Sequence, residues 1–238
     1  MTKCRVLAAG IGSAALLFFW IGLASEGLTR ALAWWVTLAC TLSAAAYLAN
    51  WPGIYGKRDG RLVAWRTAAT LPFVAAYRAA ATIRRLIRTH DNWNEVAPGL
   101  FVGGRVSAEE LPPGTQQIVD LTSEVPAPAD LRAHRGYRGH PVLDGGWPSD
   151  EGAFCTLARE LAAARGPLYV HCISGRGRAP TAAAAVLLAR GTARDVPSAI
   201  ELVKQGRPAT SLTRTDVAFL ERIAPRLASD GHGLERAR

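Results

Sequence analysis

The chain has 238 residues, 49% of them hydrophobic, and a formal net charge of +9. That length holds one ordinary domain and an additional segment. Cys4, Cys40, Cys155 and Cys172 show neither paired spacing nor a metal-ligand pattern, which argues against a disulfide scaffold and a zinc module.

Neither apolar residues nor charges are spread evenly. Residues 6–25 (VLAAGIGSAALLFFWIGLAS) and 31–56 carry no charge. Each run can cross a bilayer core, which takes about 20 apolar residues in a helix. Trp20, Trp34 and Trp35 fall near one expected interface, and Trp51 and Tyr55 near the other. Two buried core helices are the soluble alternative, but such helices rarely run this far without a charge. A cleaved signal peptide is a second alternative for the first run, because Lys3 and Arg5 precede it and small residues surround Ala24. Lys3 and Arg5 before the first run, and Lys57, Arg58, Arg61 and Arg66 after the second, place both ends in the cytoplasm and the short EGLTR connection outside. Gly10 and Ala14 offer small residues for packing the two spans together.

Residues 57–90 hold eight Lys or Arg and one acid, Asp59. Nucleic-acid binding is one reading of a basic chain. The position favours anionic inner-leaflet lipids instead, since the charges begin where the second span ends. Residues 72–90 predict a helix with Pro72 in its first turn and an apolar stripe of Phe73, Tyr77, Ala80, Ile83 and Ile87. Arg78, Arg85 and Arg88 flank the stripe, and Arg84 intrudes on it. Two readings stay open: a helix lying in the membrane interface, or a linker helix docked on the domain that follows.

From residue 93 the pattern becomes that of an α/β domain. GLFVGG (99–104), QQIVDLT (116–122), RGHPVL (138–143) and PLYVHC (167–172) predict strands, the last an interior one. Residues 149–165, 179–190, 196–205 and 214–227 predict helices. Alternation of this kind implies a sheet flanked by helices, with ligands beyond the carboxyl ends of the strands. Cys172 stands at such an end.

After it comes Ile173-Ser174-Gly175-Arg176-Gly177 and then Arg178, opening a helix. Successive backbone N–H groups in such a turn form an anion nest, and the helix adds its positive N-terminal end. Gly175 and Gly177 permit the close turns. Arg178 supplies a planar fork matched to two phosphate oxygens. A thiolate needs a positive setting of this kind at neutral pH. The implied ligand is a tetrahedral dianion above the Cys172 sulfur, bound without metal or cofactor.

His171-Cys172-x5-Arg178, with Gly175 inside it, resembles the signature of the cysteine-dependent phosphatases. VDLT (119–122) and GRP (206–208) are similar to the small dual-specificity branch, and the likeness spans about residues 95–228. The resemblance implies a dual-specificity-phosphatase-like sheet flanked by helices, preceded here by two transmembrane helices, in a membrane-anchored, bacterial-type member. It also implies attack by Cys172 on phosphorus, protonation of the leaving oxygen by an aspartic acid on a separate loop, and a supporting role for His171. Asp144, in the loop after the third expected strand, is the preferred acid. Asp150 is the alternative, although Asp150 and Glu151 also suit the first turn of a helix. Asp120 reads as structural, Ser174 as a loop hydroxyl, and Thr181 as packed in the helix's first turn. Ala179 departs from the family, which usually carries Ser or Thr there to assist breakdown of the phospho-enzyme.

Arg176 adds a second cation to the loop, which resembles the lipid-directed members. A solvent-facing or acid-paired arginine is the plainer reading. The expected organisation is an anchor over 1–56, a basic juxtamembrane linker over 57–92 and a phosphatase domain over 93–238. The protein is expected at the cytoplasmic membrane with its domain inside. The partners implied are a phospholipid or a phosphoprotein as substrate, together with an anionic membrane surface. A catalytically weak phosphate-binding docking module is the remaining alternative.

Overall fold

The computed structural model describes residues 3–87 and 89–228, so residues 1–2, Arg88 and residues 229–238 lie outside the described residues. Helices α1 (Lys3–Ala24) and α2 (Gly27–Leu48) come first. At about 1.5 Å per residue, each 22-residue helix is long enough for a hydrocarbon core of about 30 Å. Leu16, Leu17, Trp20, Leu23, Leu28 and Leu32 are exposed, as a lipid-facing surface would be. The two helices pack through small residues, with Ala8, Ala15 and Gly22 buried on α1 and Ala33, Ala39 and Ser43 on α2. Gly10 is exposed and Ala14 only half-buried, so the seam lies elsewhere than expected. A repeat of seven keeps side chains on one helix face, and positions 10 and 14 fall outside that row. The connection is also tighter than EGLTR. Only Ser25 and Glu26 leave the helical conformation, because Gly27 reverses the chain at φ +56° and Arg30 Nε closes on Ser25 O at 2.6 Å.

A 3₁₀ turn, Pro52–Tyr55, follows α2. Trp51 is exposed as an interfacial residue would be, but Tyr55 is buried and stacks on Phe73 at 6.1 Å. Lys57 is also buried. Its ammonium lies 2.7 Å from Asp120 and donates to Thr122 O and Oγ1, so one of the expected membrane-facing cations is committed to the sheet instead.

Helix α3 (Ala64–Ile87) begins before the predicted start, which leaves Pro72 inside it rather than in its first turn. A proline there removes the N–H that would bond the carbonyl four residues back. That carbonyl, Ala68 O, accepts from Trp35 Nε1 of α2 at 2.9 Å instead, which removes the penalty of an orphan acceptor. The predicted stripe divides: Phe73 and Tyr77 pack inward, whereas Ile83 and Ile87 are exposed.

Five strands make one sheet: β1 (Trp93–Ala97), β2 (Leu100–Gly103), β3 (Gln117–Thr122), β4 (Tyr137–Val142) and β5 (Leu168–His171). Their order is β1-β2-β5-β3-β4, with β5 central, β1 antiparallel to β2 and the other pairs parallel. β1 has no strand pattern of its own, and pairing with β2 makes it one. The remaining helices are α4 (Ala129–Ala133), α5 (Glu151–Ala163), α6 (Arg178–Ala189), α7 (Val196–Gly206) and α8 (Arg214–Ala228). Residues of α5 to α8 form the main core with the sheet, including Val119, Val170, Phe154 and Phe219. Ala182 to Ala185 let α6 pass close to its neighbours, and all four are buried. A separate cluster (Cys4, Ala8, Tyr47, Tyr55, Val74 and Leu143) joins the base of the α1–α2 hairpin to α3 and the end of β4. That cluster seats the hairpin beside the carboxyl edge of the sheet.

Candidate active site

β5 ends at His171, which lies in register between Gly103 of β2 and Asp120 of β3. The carboxyl ends of β5, β3 and β4 thus bring Cys172, Glu124 and Asp144 to one edge.

The loop from Cys172 to Arg178 is braced from outside. Ile173 O accepts from Arg105 N at 3.3 Å, Gly175 O from Arg207 Nε at 2.7 Å, and Arg176 O from Ser211 N at 2.7 Å. In a planar trans peptide the C=O and the next N–H point opposite ways. Outward carbonyls at 173, 175 and 176 therefore turn the amides of Ser174, Arg176 and Gly177 inward. Gly175 N donates to Cys172 Sγ at 3.2 Å. Gly175 has φ +66°, and a side chain there would collide with the backbone of Gly103, so glycine is required. Gly177 differs from the expectation: its φ is −124° and a Cβ would meet open space. Arg207 also holds Asn94 of β1 at 2.6 Å, which gives the GRP element a physical role as the outer brace of the loop.

Arg178 begins α6 and is buried. Its Nη1 donates to Val142 O at 2.6 Å and to Glu124 Oε2 at 2.9 Å, and its Nη2 to Tyr77 Oη at 3.2 Å. Glu124 is fully buried, and its Oε1 accepts from Asp144 N at 2.7 Å and from Tyr47 Oη at 3.0 Å. Asp144 pairs with Lys3 Nζ at 2.8 Å, and its Oδ2 lies 3.4 Å from Tyr77 Oη. Burial would raise the Asp144 pKa, but the Arg178 and Lys3 charges outweigh it and hold the carboxyl below its ordinary value. Cys4 Sγ contacts Asp144 O at 3.8 Å.

Asp150, the alternative acid, caps α5 and accepts from Ala153 N at 2.9 Å. Glu151 pairs with Arg222 on α8. Asp120 is fully buried, with Lys57, Tyr137 Oη and Thr122 on its carboxylate. Burial works against its ionisation, but the Lys57 charge prevails and lowers its pKa. Stacked on Tyr169 and fully enclosed, His171 has its pKa lowered by burial. Thr181 Oγ1 donates to Gly177 O at 3.0 Å within the first turn of α6. Ala179 is fully buried in the cluster that holds Cys172. Ser174 and Arg176 line a cavity beside the loop, and Arg176 Nε reaches Ala209 O at 3.3 Å.

Sequence reasoning did not find Glu124, Tyr77, Lys3 or Tyr47 as parts of this site. Glu124 carried a usable signal, since it follows β3 at the same sheet edge where Asp144 follows β4. The other three come from segments with no local mark of such a role. Among the described residues, no three His, Cys, Asp or Glu stand together as metal ligands.

A family model described as "PTP-SAK: Swiss Army Knife protein, DSP-PTPase phosphatase domain" matches residues 107–229, just over half of the chain. No curated protein sequence matches it. Solved structures with a similar fold include human DUSP28, at 21% identity and a TM-score of 0.48 over 58% of this chain and 97% of that one. Tk-PTP in its active form aligns at 22% identity and a TM-score of 0.49, over 57% of this chain and 97% of that one. PTPMT1 in complex with PI(5)P aligns at 16% identity and a TM-score of 0.48, over 58% and 98%.

Proposed function

The chain belongs to the PTP-SAK family of DSP-PTPase phosphatase domains, and we propose that it is a membrane-anchored phosphatase acting on a phospholipid head-group phosphate through Cys172. The geometry supports the following roles. The Cys172 thiolate attacks phosphorus, the P–O bond to the leaving group breaks, and a cysteinyl-phosphate forms. The inward amides and Arg178 hold the three non-bridging oxygens. Asp144 must be protonated for this step, against the Arg178 and Lys3 charges that lower its pKa, and in that form it gives its proton to the leaving oxygen. It then takes one from the water that attacks phosphorus, and the S–P bond breaks to release phosphate. His171 supports the loop from beneath.

The observation that carries the choice of a lipid is the seat of the apolar hairpin. Lys3 of α1 touches Asp144, and Tyr47 of α2 touches Glu124. If α1 and α2 cross the cytoplasmic membrane, with residues 1–56 as anchor and 57–92 as linker, the domain over 93–238 carries its site at head-group level. Tethering of that kind raises the effective concentration of lipid substrate. The purified full chain, with Cys172→Ser as control, is assayed on lipid phosphomonoesters in mixed micelles and on phosphotyrosine peptides. Lipid turnover with negligible peptide turnover supports the reading. The reverse makes it a protein phosphatase, and phosphate binding without turnover makes it a docking module.

A further inference from the structure

Cys172 is 2% exposed and Arg178 5% exposed, so neither the nucleophile nor its clamp is open to solvent. Beside them lies a cavity of about 310 Å³. Arg84 and Arg85 of α3 and Ile173, Ser174 and Arg176 of the loop line it, and Tyr77 forms part of its wall. From there the Tyr77 hydroxyl reaches both Arg178 Nη2, at 3.2 Å, and Asp144 Oδ2, at 3.4 Å.

Those two contacts define a position in the reaction. Nη1 of Arg178 is committed to Glu124 and Val142 O, which leaves the other edge of the guanidinium for a phosphate. Tyr77 Oη occupies a donor on that edge. The same oxygen touches the carboxylate assigned to protonate the leaving oxygen. We propose that Tyr77 is a built-in occupant of the leaving-group position, so that α3 closes the active site and a substrate must displace the Tyr77 hydroxyl to reach Cys172. The proposal rests on the assignment of Cys172 and Arg178 as the phosphate site.

The occupant is suited to being displaced. Burial pushes the Tyr77 pKa well up, so the hydroxyl stays neutral. A phosphoryl dianion makes charge-assisted hydrogen bonds to a guanidinium, which are roughly twice as strong as neutral ones. The dianion wins the competition, and weaker ligands do not. Movement is also provided for. The C-terminal half of α3 leaves Ile83, Leu86 and Ile87 exposed, and the half-exposed Arg85–Glu110 pair ties it down. Pro72 interrupts the helix ladder just before Tyr77. Tyr77 thus sets a threshold, because binding is weakened by the fraction of molecules that are closed.

The test uses the full chain and tungstate as the probe. Tyr77→Phe keeps the ring and removes only the hydroxyl, and Tyr77→Ala opens the path. Tungstate affinity, measured by calorimetry, is expected to rise about three- to tenfold in both, the worth of one hydrogen bond. Alkylation of Cys172 by iodoacetamide, read by peptide mapping, should speed up in Tyr77→Ala. KM for a small aryl phosphate should fall in both variants. Equal or weaker tungstate binding by Tyr77→Phe, with unchanged Cys172 alkylation in Tyr77→Ala, overturns the proposal. A drop in kcat at unchanged KM also overturns it, because Tyr77 would then assist the reaction. Arg178→Met separates the two levels: if it binds tungstate as well as wild type does, the phosphate site itself is misassigned.

Discussion

Glu124→Gln tests the buried centre of the site. Glu124 and Arg178 are 2.9 Å apart, with side chains 0% and 3% exposed. The substitution keeps the shape and removes the charge. Arg178 is left buried, with only backbone carbonyls such as Val142 O on Nη1. Breaking a buried pair by removing one partner costs about 3–5 kcal/mol. The glutamine oxygen can serve either Arg178 or the two donors on the opposite side, Asp144 N and Tyr47 Oη, but not both sides. Its NH₂ then faces a donor. In a chain of this size each kcal/mol moves Tm by about 2–4 °C, so a fall of about 6–20 °C is expected. Thermal unfolding in detergent, followed by circular dichroism, measures it. Tungstate should restore part of the loss, because a bound dianion supplies the missing countercharge to Arg178. Turnover of an aryl phosphate should fall up to about 100-fold, the scale for a clamp displaced by about 1 Å. A Tm within 2 °C of wild type (about the smallest shift expected of a 1 kcal/mol change) together with unchanged turnover would refute the assignment of Glu124 as the countercharge.

Four further substitutions probe the surrounding parts. Asp144→Asn should depress hydrolysis of alkyl phosphates far more than that of aryl phosphates, whose leaving groups need little protonation; equal losses would exclude a general-acid role. Lys3→Met removes a charge that lowers the Asp144 pKa. A general acid works protonated, so activity falls as pH rises through its pKa, and the alkaline limb of kcat/KM should move to higher pH; an unmoved limb would dissociate Lys3 from catalysis. Gly175→Ala should abolish tungstate binding, because φ +66° and the Gly103 backbone leave no place for the methyl, whereas Gly177→Ala should cost under about 1 kcal/mol of stability. Equal effects at the two glycines would contradict the loop geometry.

The loop was legible because its chemistry is contiguous. Strand, thiol, glycine, arginine and helix follow one another, so local rules suffice to read the loop as a candidate anion site. The same holds for β5, whose unbroken apolar run marks it as central. The expected roles of Gly177, Tyr55 and Lys57 failed for a different reason. Glycine permits a positive φ without requiring it, and an aromatic or a lysine near an apolar span can turn toward the protein as readily as toward lipid. Lys57 turned inward because Asp120 offers it a buried partner across the chain.

The sequence by itself determined the two apolar helices, the α/β order of the domain and the Cys172–Arg178 loop, since each depends on neighbours a few residues away. Tertiary structure decided what stands over that loop. Lys3, Tyr47, Tyr77, Glu124 and Asp144 come from separate segments, and only the packing of the hairpin base and α3 against the carboxyl edge of the sheet brings them together. Hydrogen bonds and charge pairs act over about 3–4 Å, and that proximity is set by packing rather than by spacing along the chain.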